Sequence, residues 1–370
     1  MTSPVLFENI ATANGKFIGQ AILNVEGTLN SLTLEMVDLL LSQLTKWQTD
    51  DSIVAIFIRG AGEKALCAGG DVQALHQSSV SQPGGPCEYA ETFFEREYRL
   101  DYLLHQYLKP TIVWGHGIVM GGGLGILAAC KHRIVTEKTR IAMPEVTIAL
   151  FPDVGGSYFL NKMPGCCGRF LALTAASINA ADSLYSGIAD YFISHQQYEQ
   201  LSQALVQLPW SGDKFDDDNL LSSTIHKLEQ HAIEKMPPGN LESHQTQIDQ
   251  LCHGDDVNVI ADRIAKLQTD DKWLLKAKLG LSGGSPLATK WIFRQLNLAK
   301  GLSLKEVFQA ELLLGTNIMR HPEFAEGVRA LLIDKDQSPT WQIADLDSVS
   351  EEAVAIFFSA PWLQNPLADL

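Results

Sequence analysis

Two short stretches constrain this chain more than anything else in it. In KPTIVWGHGIVMGGGLG, Lys109–Gly125, an apolar strand-like run ends on three consecutive glycines, Gly121, Gly122 and Gly123. In IVAIFIRGAGEKALCAGGD, Ile53–Asp71, a second such run leads through Gly60 and Gly62 to Cys67-Ala68-Gly69-Gly70-Asp71. Strand, glycine turn and helix, met twice in that order, point to a layered α/β structure, although no strict period links the two. Glycine lets a backbone approach a ligand closely and adopt φ > 0. A glycine run that opens a helix also leaves N–H groups without helical partners, with the positive end of the helix dipole behind them. Taken singly, CAGGD reads first as an ordinary tight turn with Asp71 as an N-capping residue, and the triple glycine as a means of close helix–strand packing. Taken together, they provide the two N–H donors of an oxyanion hole, where losing one donor costs roughly 3–4 kcal/mol of transition-state stabilisation.

The rest of the chain fits around these turns. Phe17–Val25 alternates as a strand, Thr28–Trp47 reads as an amphipathic helix, and Ile53–Ile58 is a buried strand. Residues 77–90 are rich in Pro, Gly and Ser and read as a loop, followed by a helix over Glu91–Leu108. Helices are expected on either side of Pro164-Gly165 and over Asn179–Ser186, with a strand at Ile188–Ile193. Beyond a soft boundary near 200–210 the sequence favours helix almost throughout, broken at Ser282–Ser285. The expected division is therefore 1–205 and 206–370.

Composition narrows the function. A formal charge of -15 argues against a non-specific nucleic-acid binder, which needs surplus Lys and Arg. Six cysteines without a CxxC pair fit reduced thiols in an intracellular protein, and the vicinal Cys166-Cys167 reads as two small buried residues. Residues 1–20 lack the features of a signal or transit peptide, and no apolar stretch is long enough to span a bilayer. A soluble, cytoplasmic protein with no membrane or nucleic-acid partner is expected. Ten histidines form no HxxxH or HExxH pattern and no GxSxG elbow occurs, so neither a metal centre nor a serine triad is expected.

Carboxylates are the remaining chemistry. Glu145 lies in the apolar run MPEVTIAL, where burial would raise its pKa and suit it to act as base or nucleophile; a solvent-facing loop position is the alternative. Asp153 follows Phe151-Pro152 and is placed to cap a helix starting near Val154. Glu97, in EREYRL, reads locally as a solvated helix residue paired with Arg96 or Arg99.

These residues in this order resemble the crotonase (enoyl-CoA hydratase/isomerase) superfamily, and within it the 3-hydroxyisobutyryl-CoA hydrolase branch. The resemblance is carried by LNSLTLEM, GAGEKALCAGGD, FFEREYRL, the MGGG stretch, AMPEVTIALFPDVGGSYFL and EFAEGVRALLIDKDQSPTW. It implies a spiral of repeated ββα units followed by a mainly helical C-terminal region, with residues 1–205 as the acyl-CoA-binding core. It implies a homo-oligomer and an acyl-CoA substrate, coenzyme A being part of that substrate and no separate cofactor being needed. By the same match, the N–H groups of Gly70 and Gly122 hold the thioester oxygen, and Glu145 and Asp153 are the catalytic acids. Glu97 lines the acyl pocket, and Ala68, Asp71 and Gly121 belong to the substrate-binding turns. The sequence departs from the hydratases at Gly125, where they carry a second glutamate two residues after the triple glycine. A thioester hydrolase needs only one nucleophile or base beside its oxyanion hole. The rivals are a hydratase or isomerase that uses Glu145 and Asp153, and a non-catalytic binding module. The turn Val25-Glu26-Gly27 also lacks the basic residue that superfamily members often place near the CoA phosphates, leaving Lys64 as a neighbouring candidate.

Overall fold

Strand β1 (Val5–Ala11) pairs antiparallel with β2 (Phe17–Leu23) at the edge of a six-stranded sheet. The computed structural model describes residues 3–370. The chain alternates between two compact units. One is built from the chain up to Gly70, Leu100–Ile141 and Ile178–Gly239, the other from Asp71–Arg99, Ala142–Ser177 and Asn240–Leu370.

In the first unit β2 continues through parallel neighbours: β3 (Ile53–Gly60), then β5 (Thr111–Gly115), β7 (His132–Val135) and the short β9 (Tyr191–Phe192). Interleaved in sequence are β4 (Ala65–Cys67), β6 (Ile118–Met120) and β8 (Arg140–Ala142), which form a second, three-stranded sheet. From β3 onward, each of the pairs β3–β4, β5–β6 and β7–β8 thus places one strand in each sheet before the chain goes helical. That is the spiral of ββα units. The runs Ile53–Ile58 and Thr111–Trp114 are buried throughout, as central parallel strands must be.

The helices in chain order are α1 (Leu34–Thr49), α2 (Val72–Ser81), α3 (Glu88–His105), α4 (Gly122–Ala129), α5 (Gly156–Leu160), α6 (Cys167–Thr174), α7 (Ala180–Tyr185) and α8 (Tyr198–Gln207). They continue as α9 (Lys214–Glu229), α10 (Leu241–Cys252), α11 (Val257–Ala265), α12 (Lys272–Gly283), α13 (Pro286–Leu298), α14 (Leu304–Met319), α15 (Pro322–Val328) and α16 (Glu351–Ala355). Among the described residues no strand follows β9, so the C-terminal region is helical. Local chemistry explains the starts. Asp213, Asp256 and Asp271 cap α9, α11 and α12, and Ser303 forms a capping box with Glu306 at α14.

Ile18, Val54, Phe57, Ile112, Trp114 and Ile134 from the large sheet pack with Leu201 and Leu205 of α8 and Leu221 and Ile225 of α9. Leu205, where the composition changes, is therefore part of this core rather than a linker. The second unit is aromatic at its centre: the Phe94, Tyr98 and Phe308 rings pack in series, and Trp291 packs on Phe357. Burying each such ring stabilises by about 1.5–3 kcal/mol.

Three expectations shift. The first helix begins at Leu34 instead of Thr28, because Leu29 and Asn30 sit at φ of 56° and 59°. Asn30 turns inward there, accepting from the Val25 N–H and donating to the Ala61 and Ala65 carbonyls, and Thr33 caps the helix that follows. The 77–90 loop is shorter, since α2 runs to Ser81 and α3 starts at Glu88. The strand over Ile188–Ile193 is reduced to Tyr191–Phe192.

Candidate active site

In the first unit the two glycine turns are neighbours. Strands β4 and β6 are parallel, with Cys67 beside Val119, so both turns leave the same end of the small sheet. Gly69 has φ of 111°, and a Cβ there would lie 3.5 Å from the Met120 carbonyl oxygen. The Leu32 N–H donates to the Gly69 carbonyl and the Ala68 N–H to the Leu29 carbonyl, which pins this turn. Ala68 accordingly has its own N–H engaged. Gly121 takes φ 46° and ψ −124°, a conformation closed to side chains, and α4 opens directly after it. The first bonds of that helix run from the Leu124 and Gly125 N–H groups to the Gly121 carbonyl. The N–H groups of Gly122 and Gly123 precede them and have no intrahelical acceptor. A Cβ on Gly123 would meet the Cys67 carbonyl oxygen at 2.3 Å, so the helix start rests on the strand end itself.

The second unit holds the carboxylates. Glu145 opens a 3-10 turn over Glu145–Ile148 and is 4% exposed, which removes the solvent-facing alternative. Its Oε2 has no hydrogen-bond partner among the described residues. Burial, then the charge of Asp153, pushes its pKa well above the ordinary carboxylate value. Asp153 is equally buried and also raised, by burial, while a hydrogen bond from the Tyr98 hydroxyl to its Oδ2 (2.8 Å) acts in the opposite direction. Asp71 stands at the start of α2 and accepts from the Ala74 N–H, the capping geometry read from the sequence.

Two local readings are corrected here. Asp153 does not cap the following helix. Val154 and Gly155 both have positive φ (53° and 82°), α5 starts at Gly156, and its N-cap position, Gly155, offers no side chain. The cap comes from Glu311 of α14, whose carboxylate accepts from the Gly155 N–H (2.8 Å) and the Ser157 N–H (2.9 Å). Glu97 is not a solvated partner of an arginine: it is 2% exposed, while Arg99 pairs with Glu95 and Asp369. Burial, together with the charges of Asp153, Glu311 and Glu97, pushes the Tyr98 hydroxyl far up, so it stays a proton donor.

Tyr98 and Glu311 were not singled out by sequence reasoning. The signal for Glu311 is present: it falls between Val307 and Leu314 on the stripe 307, 311, 314, 318, all buried. An acid on the apolar face of a helix must be held by something. Glu311 itself is fully buried, and its pKa rises to about 8 because burial outweighs its two backbone hydrogen bonds. Buried carboxyl groups under mutual repulsion do not all ionise at neutral pH. One can hold a proton while its neighbour presents a poorly hydrated, reactive carboxylate.

Comparison with known proteins bears on this chemistry. A family model described as enoyl-CoA hydratase/isomerase matches residues 18–358. The mitochondrial 3-hydroxyisobutyryl-CoA hydrolase of Danio rerio is 39% identical over 97% of this chain and 90% of its own length. The Homo sapiens protein of the same name is 38% identical over 90% and 84%. Among solved structures, a carnitinyl-CoA dehydratase from Mycobacterium thermoresistibile superposes with a TM-score of 0.84 at 31% identity, covering 97% of each chain. An enoyl-CoA hydratase from Rhodobacter sphaeroides gives 0.82 at 30% identity, covering 97% of this chain and 98% of its own.

Proposed function

The chain belongs to the enoyl-CoA hydratase/isomerase family, and we propose that it hydrolyses a short branched 3-hydroxyacyl-CoA thioester, 3-hydroxyisobutyryl-CoA first. The observation that carries this reading is Glu145, a buried carboxyl with one oxygen free of hydrogen bonds and its basicity raised by burial. The relatives named as 3-hydroxyisobutyryl-CoA hydrolases, which share 34–39% identity with this chain, supply the substrate class. The same class fits a place in valine breakdown.

In this proposal Glu145 attacks the thioester carbonyl carbon and the electron pair moves onto its oxygen, where the Gly70 and Gly122 N–H groups hold the charge. Collapse expels the CoA thiolate, which takes up a proton, and leaves a mixed anhydride on Glu145. Water cleaves the anhydride, releasing the free acid and restoring the carboxylate. A direct attack of water with Glu145 as general base uses the same residues. Asp153, oriented by Tyr98, binds the substrate hydroxyl or relays the proton. Glu97 lines the acyl pocket, and Ala68, Gly121 and Asp71 shape the turns. Acyl-CoA binding thus falls to residues within 1–205. Assembly into a homo-oligomer and a cytoplasmic location belong to the same proposal.

The names of the solved neighbours favour a second reading, hydration of an enoyl-CoA. Against it stands Gly125, buried in α4 and without a side chain to act as the second acid. Thiol release from 3-hydroxyisobutyryl-CoA, followed beside crotonyl-CoA absorbance, separates the two. Hydrolysis yields free thiol and leaves crotonyl-CoA untouched. Loss of crotonyl absorbance without thiol establishes the hydratase, and silence in both assays indicates a binding module.

A further inference from the structure

The start of α5 poses an accounting problem whose solution has a chemical consequence. Gly155, at the N-cap, and Ser157, in the first turn, are buried, and neither N–H has an intrahelical acceptor. The residue that local sequence offers as a cap is Asp153, two positions before Gly155. Its carboxylate instead accepts from the Tyr98 hydroxyl, 55 residues away in sequence. The vacated role is filled by Glu311, each of whose oxygens takes one N–H, at 2.8 and 2.9 Å.

We infer that Glu311 is a positioning residue for the hydrolase reaction: by capping α5 in place of Asp153, it frees the Asp153 carboxylate to face Tyr98 and the substrate. The inference rests on the thioester-hydrolase reading for its catalytic half only. Three features make the arrangement specific to a carboxylate. Both oxygens are used as acceptors, so an amide, with one oxygen and one donating nitrogen, satisfies only one of the two N–H groups. The turn it holds contains Val154 at φ 53°, a strained position for a β-branched residue that its surroundings must enforce. Glu311 also feels the charge of Asp153 directly, so the two carboxylates are linked electrostatically as well as through the turn. The titratable groups acting in this cluster are Asp153, Glu97, Tyr98 and, through Asp153, Glu145.

The test is a double-variant cycle on the full chain, reading thiol release from 3-hydroxyisobutyryl-CoA for wild type, Glu311→Gln, Asp153→Asn and the pair. Glu311→Gln is expected to lower kcat about tenfold or more, with KM changed by less than about twofold. In the Asp153→Asn background the same substitution is expected to cost less than about twofold, because the group it positions is already gone. Losses that simply multiply would overturn the inference, since a purely structural role acts alike in both backgrounds. Glu311→Asp keeps the charge and takes the same place in the cycle if the Gln variant does not fold. A second arm needs no activity. With Glu311 as the cap, Glu311→Gln lowers the melting temperature more than Asp153→Asn does, whereas the reverse order shows that Asp153 itself holds the helix. Wild-type protein that releases no thiol would sink the hydrolase reading and leave this thermal arm standing.

Discussion

Gly123→Ala isolates the contact on which the two glycine turns depend. Gly123 lies in the first turn of α4 and its φ is not in the left-handed region, so alanine is conformationally allowed there. Helix propensity alone would favour the substitution by about 1 kcal/mol. The added Cβ, however, would sit 2.3 Å from the Cys67 carbonyl oxygen and 2.8 Å from the Cys67 Cβ. Ordinary contact begins about 1 Å further out, so either α4 or β4 must retreat by that much. The nearest neighbour is backbone and cannot swing aside. Overpacking of this kind costs about 1–3 kcal/mol, which at its upper end exceeds the propensity gain and leaves a net loss of about 2 kcal/mol. The functional cost is larger. A displacement of about 1 Å at a reacting group lowers turnover on the order of 100-fold, and the Gly122 N–H moves with the helix start. The assay pairs urea unfolding with thiol release, using Gly283→Ala as control because a Cβ at Gly283 meets nothing within 4 Å. Wild-type stability and turnover in the Gly123→Ala variant would refute the reasoning, both for the packing and for the role of the turn.

Other outcomes follow from the carboxylates. Glu145→Gln should reduce thiol release by about 1,000-fold or more while circular dichroism and melting stay native-like. The proposed reaction needs Glu145 ionised, and its pKa is raised by burial and by Asp153, so the acid limb of the kcat/KM profile should lie above the ordinary carboxylate range; a limb near 4.5 would contradict the burial argument. A group raised on folding contributes stability that is fully present below its unfolded pKa and is lost as pH climbs through the folded value. The stability of Glu145→Gln relative to wild type should therefore grow as pH climbs above the ordinary carboxylate value of 4.5, read as the difference in urea midpoints. A pH-independent difference would show that Glu145 does not titrate as a buried acid.

Much of this structure was legible where sequence neighbours decide it. The β-branched runs at Ile53–Ile58 and Thr111–Trp114 became central parallel strands, and CAGGD and MGGG became adjacent turns because their strands pair. Asp71 and Ser303 cap helices as local chemistry dictates. The misreadings share a cause. At Leu29-Asn30 the helix was delayed by the bonds Asn30 makes to Ala61 and Ala65. Asp153 had a rival for its local role 156 residues downstream of Gly155. Glu97 looked solvated because two arginines lie close in sequence, yet it is buried, while Arg99 pairs with Glu95. Periodicity registers which face is apolar, but not which distant group will satisfy a polar atom placed on it.

The capping of α5 by a residue so far along the chain has a meaning for biosynthesis. The Ser157 N–H and its acceptor on Glu311 are separated by 154 residues. At a ribosomal pace of about 5–20 residues per second, the helix start exists for roughly 8–30 s before its cap is made. The cap on α5 cannot form until α14 has been made, so it is a late feature of the second unit, even though the Tyr98 partner of Asp153 is already present.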